Sequence, residues 1–320
     1  MKLSRSIAVI LALCMIATLV TGCSSSPAIM KVDGQSVPAG YYIYNYCTGY
    51  SSYSSTYSDE ELANYAMQEV VTYYIVEKLC KQYGLELTAL ERKAVLDGIT
   101  EQITEMGGNS VYKTFLQKMQ LSKKQFQNLM YNSYKKQKLE DYLYNAETGV
   151  EKPTTEQCYD LFKQYYCCAT HILISTQNAE SQADYDAAKA KAEEVLAKAR
   201  AGEDFIALAN EYNEDTSQDN SVGMVFPKGY MVAAFEDAAF ALEEGAISDI
   251  VQTEYGYHII KRNPITQEMY EQYHDSFLTY AEDYYFQERL GTESAEMNIE
   301  ILDALYTLDL TDALMYIMGY

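Results

Sequence analysis

The sequence predicts an α+β protein in which a mainly helical body is interrupted by a compact segment of short strands and helices. Two observations carry this. Amphipathic helical stripes occupy residues 59 to about 144 and return after Pro264. Between them, four extended runs (170–174, 224–226, 250–253 and 258–261) are interleaved with the stripes Phe205, Leu208, Ala209, Tyr212 and Phe235, Ala238, Ala239, Leu242, so that both helices can pack on one sheet. With 320 residues, 48% of them hydrophobic, and 32 tyrosines against no tryptophan, the chain has core material for two domains of ordinary size.

Residues 29–32 read as a short strand, Asp33-Gly34 as a turn, and Val37 as the start of a return strand leading into a tyrosine-rich entry. The Ser, Tyr and Thr tract 51–58 reads as a loop. Met67, Val71, Ile75 and Leu79, with Val70 and Tyr74 beside them, form one apolar stripe that ends near Gly84. Thr88 with Glu91 matches a capping box ahead of Val95, Leu96, Ile99, Ile103 and Met106, and Gly107-Gly108 stops that helix. A short helix follows with Val111, Phe115, Leu116 and Met119. Ser122 with Gln125 is a second capping box, and Leu121 stands to Phe126 at hydrophobic-staple spacing, for a helix running to about Tyr144. Pro153-Thr154-Thr155 opens a linker helix over 156–166. After Pro264, Tyr270, Tyr273, Phe277, Tyr280, Tyr284 and Tyr285 recur at helical spacing.

The first residues read as an export signal. Lys2 and Arg5 precede a 14-residue apolar run, 7–20, shorter than the roughly 20 residues a membrane-spanning helix needs. Val20-Thr21-Gly22-Cys23 resembles the lipobox of bacterial lipoproteins, which implies cleavage before Cys23 and acylation of its thiol, with Ser24 to Pro27 as a tether. Each acyl methylene buried in a bilayer contributes about 0.8 kcal/mol, so two or three chains would hold the protein at a membrane. Of the remaining cysteines, Cys47, Cys80, Cys158, Cys167 and Cys168, none lies in a Cys-x-x-Cys or Cys/His metal pattern, and their odd number argues against a complete disulfide framework. Cys167-Cys168 reads as strand packing. No metal and no cofactor is expected.

The formal charge is −22, and it is concentrated late: residues 168–263 carry a net −10 and residues 264–320 a net −11. Nucleic-acid binding rests on Lys and Arg contacts to phosphate, so nucleic acid is excluded as a partner. The acidic field keeps the chain soluble or steers basic clients toward it.

Three blocks resemble the parvulin family of peptidyl-prolyl isomerases: Ala169-Thr170-His171-Ile172-Leu173-Ile174, the run from Met231 to Phe240, and Tyr255-Gly256-Tyr257-His258-Ile259-Ile260. The resemblance implies a four-stranded antiparallel sheet flanked by helices over 164–263. His171 and His258 would then stand on neighbouring strands, hydrogen-bonded to one another behind a proline pocket, setting its geometry, its polarity or both. Matching the family's motifs, Met231 and Phe235 fall at the pocket floor, Met224 where leucine is usual, Phe226 on the strand beside it, and Thr253 at the rim. Glu214-Asp215-Thr216-Ser217 alone reads as a turn or helix cap; the resemblance makes Asp215 the carboxylate beside the rotating carbonyl. His171, Asp215 and His258 are thus the implied catalytic group, and Met224, Phe226, Met231, Phe235 and Thr253 the implied substrate contacts.

The order of segments is similar to that of PrsA-type and SurA-type foldases. It implies a signal peptide over 1–23, a helical chaperone-like domain over 24–163 into which the 164–263 domain is inserted, and a C-terminal helical segment, 264–320, packing back on the N-terminal domain. A lipid-anchored foldase on the extracytoplasmic face of a bacterial membrane follows, isomerising X-Pro bonds in exported polypeptides; the alternative is a holdase that keeps a weak parvulin domain for client contact. Two departures bear on the choice. Ser221 to Phe226 is one residue shorter than the family's Gly-Gly-Asp-Leu-Gly-aromatic-Phe run and holds one glycine, which restricts positive φ and is expected to shift the loop and weaken turnover. The loop 175–184 has no Lys or Arg to pair with phosphate, so no preference for phosphorylated residues before proline is expected.

Overall fold

The structure is a computed structural model, and it describes residues 27–217 and 219–319. Cys23 and the other residues read as an export signal lie outside the described residues. Among these residues no helix is long and apolar enough to cross a membrane. The chain divides into two compact units, one made of the residues up to Lys152 together with those from Asp283 onward, the other of Pro153–Glu282.

In the first unit, β1 (Ala28–Val32) and β2 (Gln35–Pro38) form an antiparallel hairpin, turned by Asp33 and Gly34 at φ of 47° and 77°. Then come α1 (Ala39–Tyr53), α2 (Asp59–Tyr83), α3 (Ala89–Glu105), α4 (Asn109–Lys118) and α5 (Lys123–Tyr144). The boxes at Thr88/Glu91 and Ser122/Gln125 are both closed, and a further one at Ser58/Glu61 starts α2. Gly84, at φ 70°, ends α2 in the left-handed conformation that glycine takes without steric cost.

The reading of 51–58 as a loop is corrected at its start, because α1 continues to Tyr53. Tyr, Gly, Ser and Thr are indifferent helix formers, and burial overrides them: Tyr41, Tyr42, Ile43, Tyr46 and Cys47 are all in the core. Two glycines let α1 lie close to its neighbours. A Cβ on Gly40 would sit 2.5 Å from the Gln120 carbonyl oxygen, and one on Gly49 would sit 2.6 Å from the Tyr65 ring.

The second unit opens with α6 (Thr155–Tyr165), capped by Thr154, and β3 (Tyr166–Ser175). It continues through α7 (Gln182–Arg200), α8 (Phe205–Tyr212), β4 (Met224–Pro227), α9 (Ala233–Ala241), β5 (Val251–Thr253) and β6 (Gly256–Asn263). The sheet is antiparallel, in the order β4-β3-β6-β5. One apolar cluster joins Ile172, Ile174, Tyr257 and Ile259 to α7 and α8; another joins Cys167, Ala169, Phe226 and Ile260 to α9. Cys167 and Cys168 are buried free thiols on successive β3 positions, so they point to opposite faces of the sheet. The α10 helix (Gln267–Glu296) begins in this unit, where Phe162 meets Tyr166, Tyr270 and Phe277 at ring-centroid distances of 4.2, 5.4 and 5.2 Å.

From Asp283 onward α10 belongs to the first unit. Its Phe286 packs on Tyr144, and its Arg289 pairs with Glu151 at 2.8 Å and Glu293 at 3.1 Å, while Lys78 of α2 meets Glu293 at 2.9 Å. The reading of 264–320 as helical is corrected after α10: β7 (Ile299–Ile301) pairs antiparallel with β1 and completes this unit's sheet, followed by α11 (Asp303–Tyr306) and α12 (Thr311–Ile317).

Candidate active site

The β3–β6 register sets Leu173 opposite His258 and His171 opposite Ile260. Directly opposed residues share a face of an antiparallel pair, so the two histidines are diagonal neighbours on one face. Both are buried, at 3% and 5% exposure. Their rings meet edge to face with centroids 5.2 Å apart, and Phe235 of α9 stands edge-on to both, at 5.3 Å from His171 and 5.4 Å from His258. Their Nε2 atoms address two further groups. His171 Nε2 lies 3.2 Å from Asp215 Oδ2, and His258 Nε2 lies 2.8 Å from Thr253 Oγ1.

Asp215 reaches His171 because the loop after α8 is pinned to β3. The Glu214 N–H donates to the Leu173 carbonyl, the Leu173 N–H donates to Asn213 Oδ1, and the Ser175 N–H donates to Glu214 Oε2. Asn213 Oδ1 also accepts from the Asp215 N–H at 3.1 Å, and Asn213 Nδ2 donates to Asn220 Oδ1. Asn213, which the motifs did not single out, and Glu214, to which they gave no role of its own, are thus positioning residues. The available signal was an asparagine directly after the last helical residue, where a short polar side chain can bond its own backbone.

Met224, Phe226, Met231 and Phe235 fall in one apolar cluster together with Ala239 and Ile260. Every sequence-predicted residue of the second unit therefore has a place around one centre: the imidazoles and Phe235 in the middle, the apolar cluster on one side, Asp215 and Thr253 at the two ring nitrogens. The short loop before β4 uses its one glycine. Gly223 has φ 78°, and a Cβ there would come within 2.6 Å of Asn263 Nδ2 and 2.9 Å of the Ala169 carbonyl oxygen. Gly256, between the rim and His258, is tighter still, since a Cβ there would lie 2.2 Å from the Ile174 carbonyl oxygen.

The electrostatics favour neutral rings beside a charged carboxylate. Burial, and secondarily the charge of His171, brings the His258 pKa down to about 4; burial also lowers that of His171, against the pull of Asp215. Burial alone would raise the pKa of Asp215. The hydrogen bonds from Ser217, its backbone N–H at 2.8 Å from Oδ1, and the nearby imidazoles outweigh it and hold the carboxyl below its usual range. Burial raises the Cys167 thiol to about 11, so it is no nucleophile at neutral pH. Among the described residues no group of three His, Cys, Asp or Glu side chains is placed to hold a metal ion. An apolar surface, bordered by one fixed negative charge and two uncharged imidazoles, can grip an apolar ring and bias the charge of an adjoining polar group.

Residues 171–264 match the family model described as rotamase, the PPIC-type PPIASE domain. This segment is a parvulin-type rotamase domain. The chain is 36% identical over 133 residues to a foldase protein PrsA of Caldanaerobacter subterraneus subsp. tengcongensis, an alignment covering 40% of each chain. It is 34% identical over 180 residues to foldase protein PrsA 2 of Listeria monocytogenes, covering 52% of this chain and 55% of that one. The chain thus spans about half the length, or less, of these curated relatives. The crystal structure of a PrsA peptidylprolyl isomerase from Bacillus cereus aligns with 85% of this chain and 92% of its own at 22% identity and a TM-score of 0.35. The matched segment, 171–264, contains His171, Asp215, Met224, Phe226, Met231, Phe235, Thr253 and His258.

Proposed function

We propose that the protein is a lipid-anchored extracytoplasmic foldase that isomerises X-Pro peptide bonds in exported polypeptides. The observation that carries the reading is the Asp215 carboxylate at 3.2 Å from a buried His171 whose ring abuts Phe235, because this sets a fixed negative charge beside an apolar floor. Rotation about X-Pro is opposed by amide resonance, a barrier of about 18–20 kcal/mol. The planar amide carries more negative charge on its carbonyl oxygen than the twisted one does. With the proline ring on Met231, Phe226 and Phe235, a carboxylate facing that oxygen raises the planar state relative to the transition state, and exclusion of water strengthens the effect. His171 and His258 hold the carboxylate and the rim at fixed distances, and Thr253 fixes the second ring.

The helical first unit would supply chaperoning, which agrees with the relatives being named foldases. The anchor reading rests on the sequence around Cys23 and the export signal before it, and the net charge of −22 speaks against nucleic acid among the partners. The decisive measurement is isomerisation of a proline-containing peptide by the soluble chain from Ser24. Turnover well above the uncatalysed rate is expected; a rate at background with aggregation of clients still suppressed would leave the holdase reading in its place.

A pH dependence follows from the neutral rings. An unfolded chain binds a proton on His258 near pH 6.5, whereas the folded site does not until about pH 4, so the folded state is proton-poor between these values. Stability is therefore lost as pH falls from about 6.5 to 4, by roughly 3 kcal/mol for His258 at about 1.4 kcal/mol per pKa unit. Asp215, with its folded pKa depressed, has the same sign at lower pH, its contribution vanishing as pH falls through the folded value. Urea midpoints at pH 7 and pH 4.5, for wild type and His258→Leu, check this: the variant should lose less on acidification.

A further inference from the structure

Resting on the isomerase reading, we propose that Glu236 is a positioning residue that clamps the pocket loop between β4 and α9 and thereby fixes Met231. Its carboxylate accepts three consecutive backbone N–H groups of that loop. Gly229 donates at 2.8 Å to Oε1 and 2.9 Å to Oε2, Tyr230 at 3.1 Å to Oε2, and Met231 at 3.2 Å to Oε2. Successive amides can converge on one anion only where the backbone curls into a concave nest, and Gly229, at φ 84°, supplies the left-handed step this curl requires.

The usual task of an acidic residue in a helix's first turn is to serve that helix's own amides. Glu236 lies in the first turn of α9, whose N-cap, Val232, offers no side-chain cap, yet the carboxylate turns back to the preceding loop. The consequence reaches the pocket from two directions. Phe235, the neighbour of Glu236, forms the floor beside both imidazoles, while Met231, the last residue clamped, packs on the same cluster. One side chain thus ties a mobile class of element, a surface loop, to the rigid helix that carries the floor. Met231 is a flexible, unbranched side chain, so the fixity of its contact depends on its backbone being held. Tyr230, 73% exposed within the clamped run, has its backbone held by the same carboxylate.

The test uses the full chain with Glu236→Ala and Glu236→Gln. For Glu236→Ala, KM for a proline tetrapeptide is expected to rise about tenfold, the scale of one charge-assisted hydrogen bond, with kcat within about twofold. Amide exchange at Gly229, Tyr230 and Met231 should quicken at least about tenfold while β3 and β6 amides keep their protection. Glu236→Gln, which retains one carbonyl acceptor, should fall between the two. An unchanged KM despite faster loop exchange overturns the proposal, as does unchanged exchange at the three amides. If Glu236→Ala loses the β3 and β6 protection, the same readouts on Glu236→Gln decide. A wild type without turnover would sink the isomerase reading by itself, and the clamp would then be judged on the exchange rates.

Discussion

Replacing Asp215 by alanine is expected to lower kcat/KM for proline peptides by about 10- to 100-fold with the fold intact. The magnitude corresponds to a hydrogen-bonding charged group worth about 1.5–3 kcal/mol in a partly dry site. The fold should survive because the loop is not held by the carboxylate that is lost. Its backbone is tied to β3 through the Glu214 N–H, Asn213 Oδ1 and Glu214 Oε2, and only the turn to Ser217 depends on Asp215. Freed from its counter-charge, His171 should become harder to protonate, so its NMR titration moves to lower pH. Equal rates for the variant and wild type would reduce Asp215 to a turn-former, with the apolar floor alone left to account for any activity.

Phe235→Ala is expected to be more damaging, because it strikes both packing and site. The ring is 3% exposed and touches His171, His258 and Phe226 with centroids 5.3, 5.4 and 6.0 Å away. Truncating a buried phenylalanine costs about 3–5 kcal/mol, part of it for the cavity left behind. A cavity here would also admit water to two imidazoles that burial now keeps neutral, undoing the condition for a strong local field. Hydrogen-exchange protection of the β3 and β6 amides should drop by that amount and turnover should be lost. Retention of both would mean that the floor is built by other side chains.

Helices α8 and α9 were legible because their apolar residues recur at helical spacing. The strands β3 to β6 were placed by the resemblance of their blocks, since β3 is buried along almost its whole length and β6 from Gly256 to Ile260, without period-two alternation; α7, alanine-rich with much of its length exposed, was not read. The capping boxes at Thr88 and Ser122 were legible because each is closed within four residues. Helix α1 was not, since nothing in its tyrosines, glycines and serines favours a helix until Gly40 and Gly49 allow close approach to Gln120 and Tyr65. The closing strand β7 was hidden in the same way: three residues are too few to show a period, and only β1 gives them a partner.

By itself the sequence determined the helical stripes, caps and turns, because local spacing and turn chemistry decide these, while the side chains of the site and the strands that bear them were marked by the resemblance of three blocks to the parvulins. The tertiary structure decided what each atom faces: His171 directed to Asp215, His258 to Thr253, and Glu236 folded back on three amides. The physical reason is that hydrogen-bond partners and burial depend on residues 5 to 87 positions apart meeting in space. Their protonation states follow from that meeting, and no short stretch of chain encodes it.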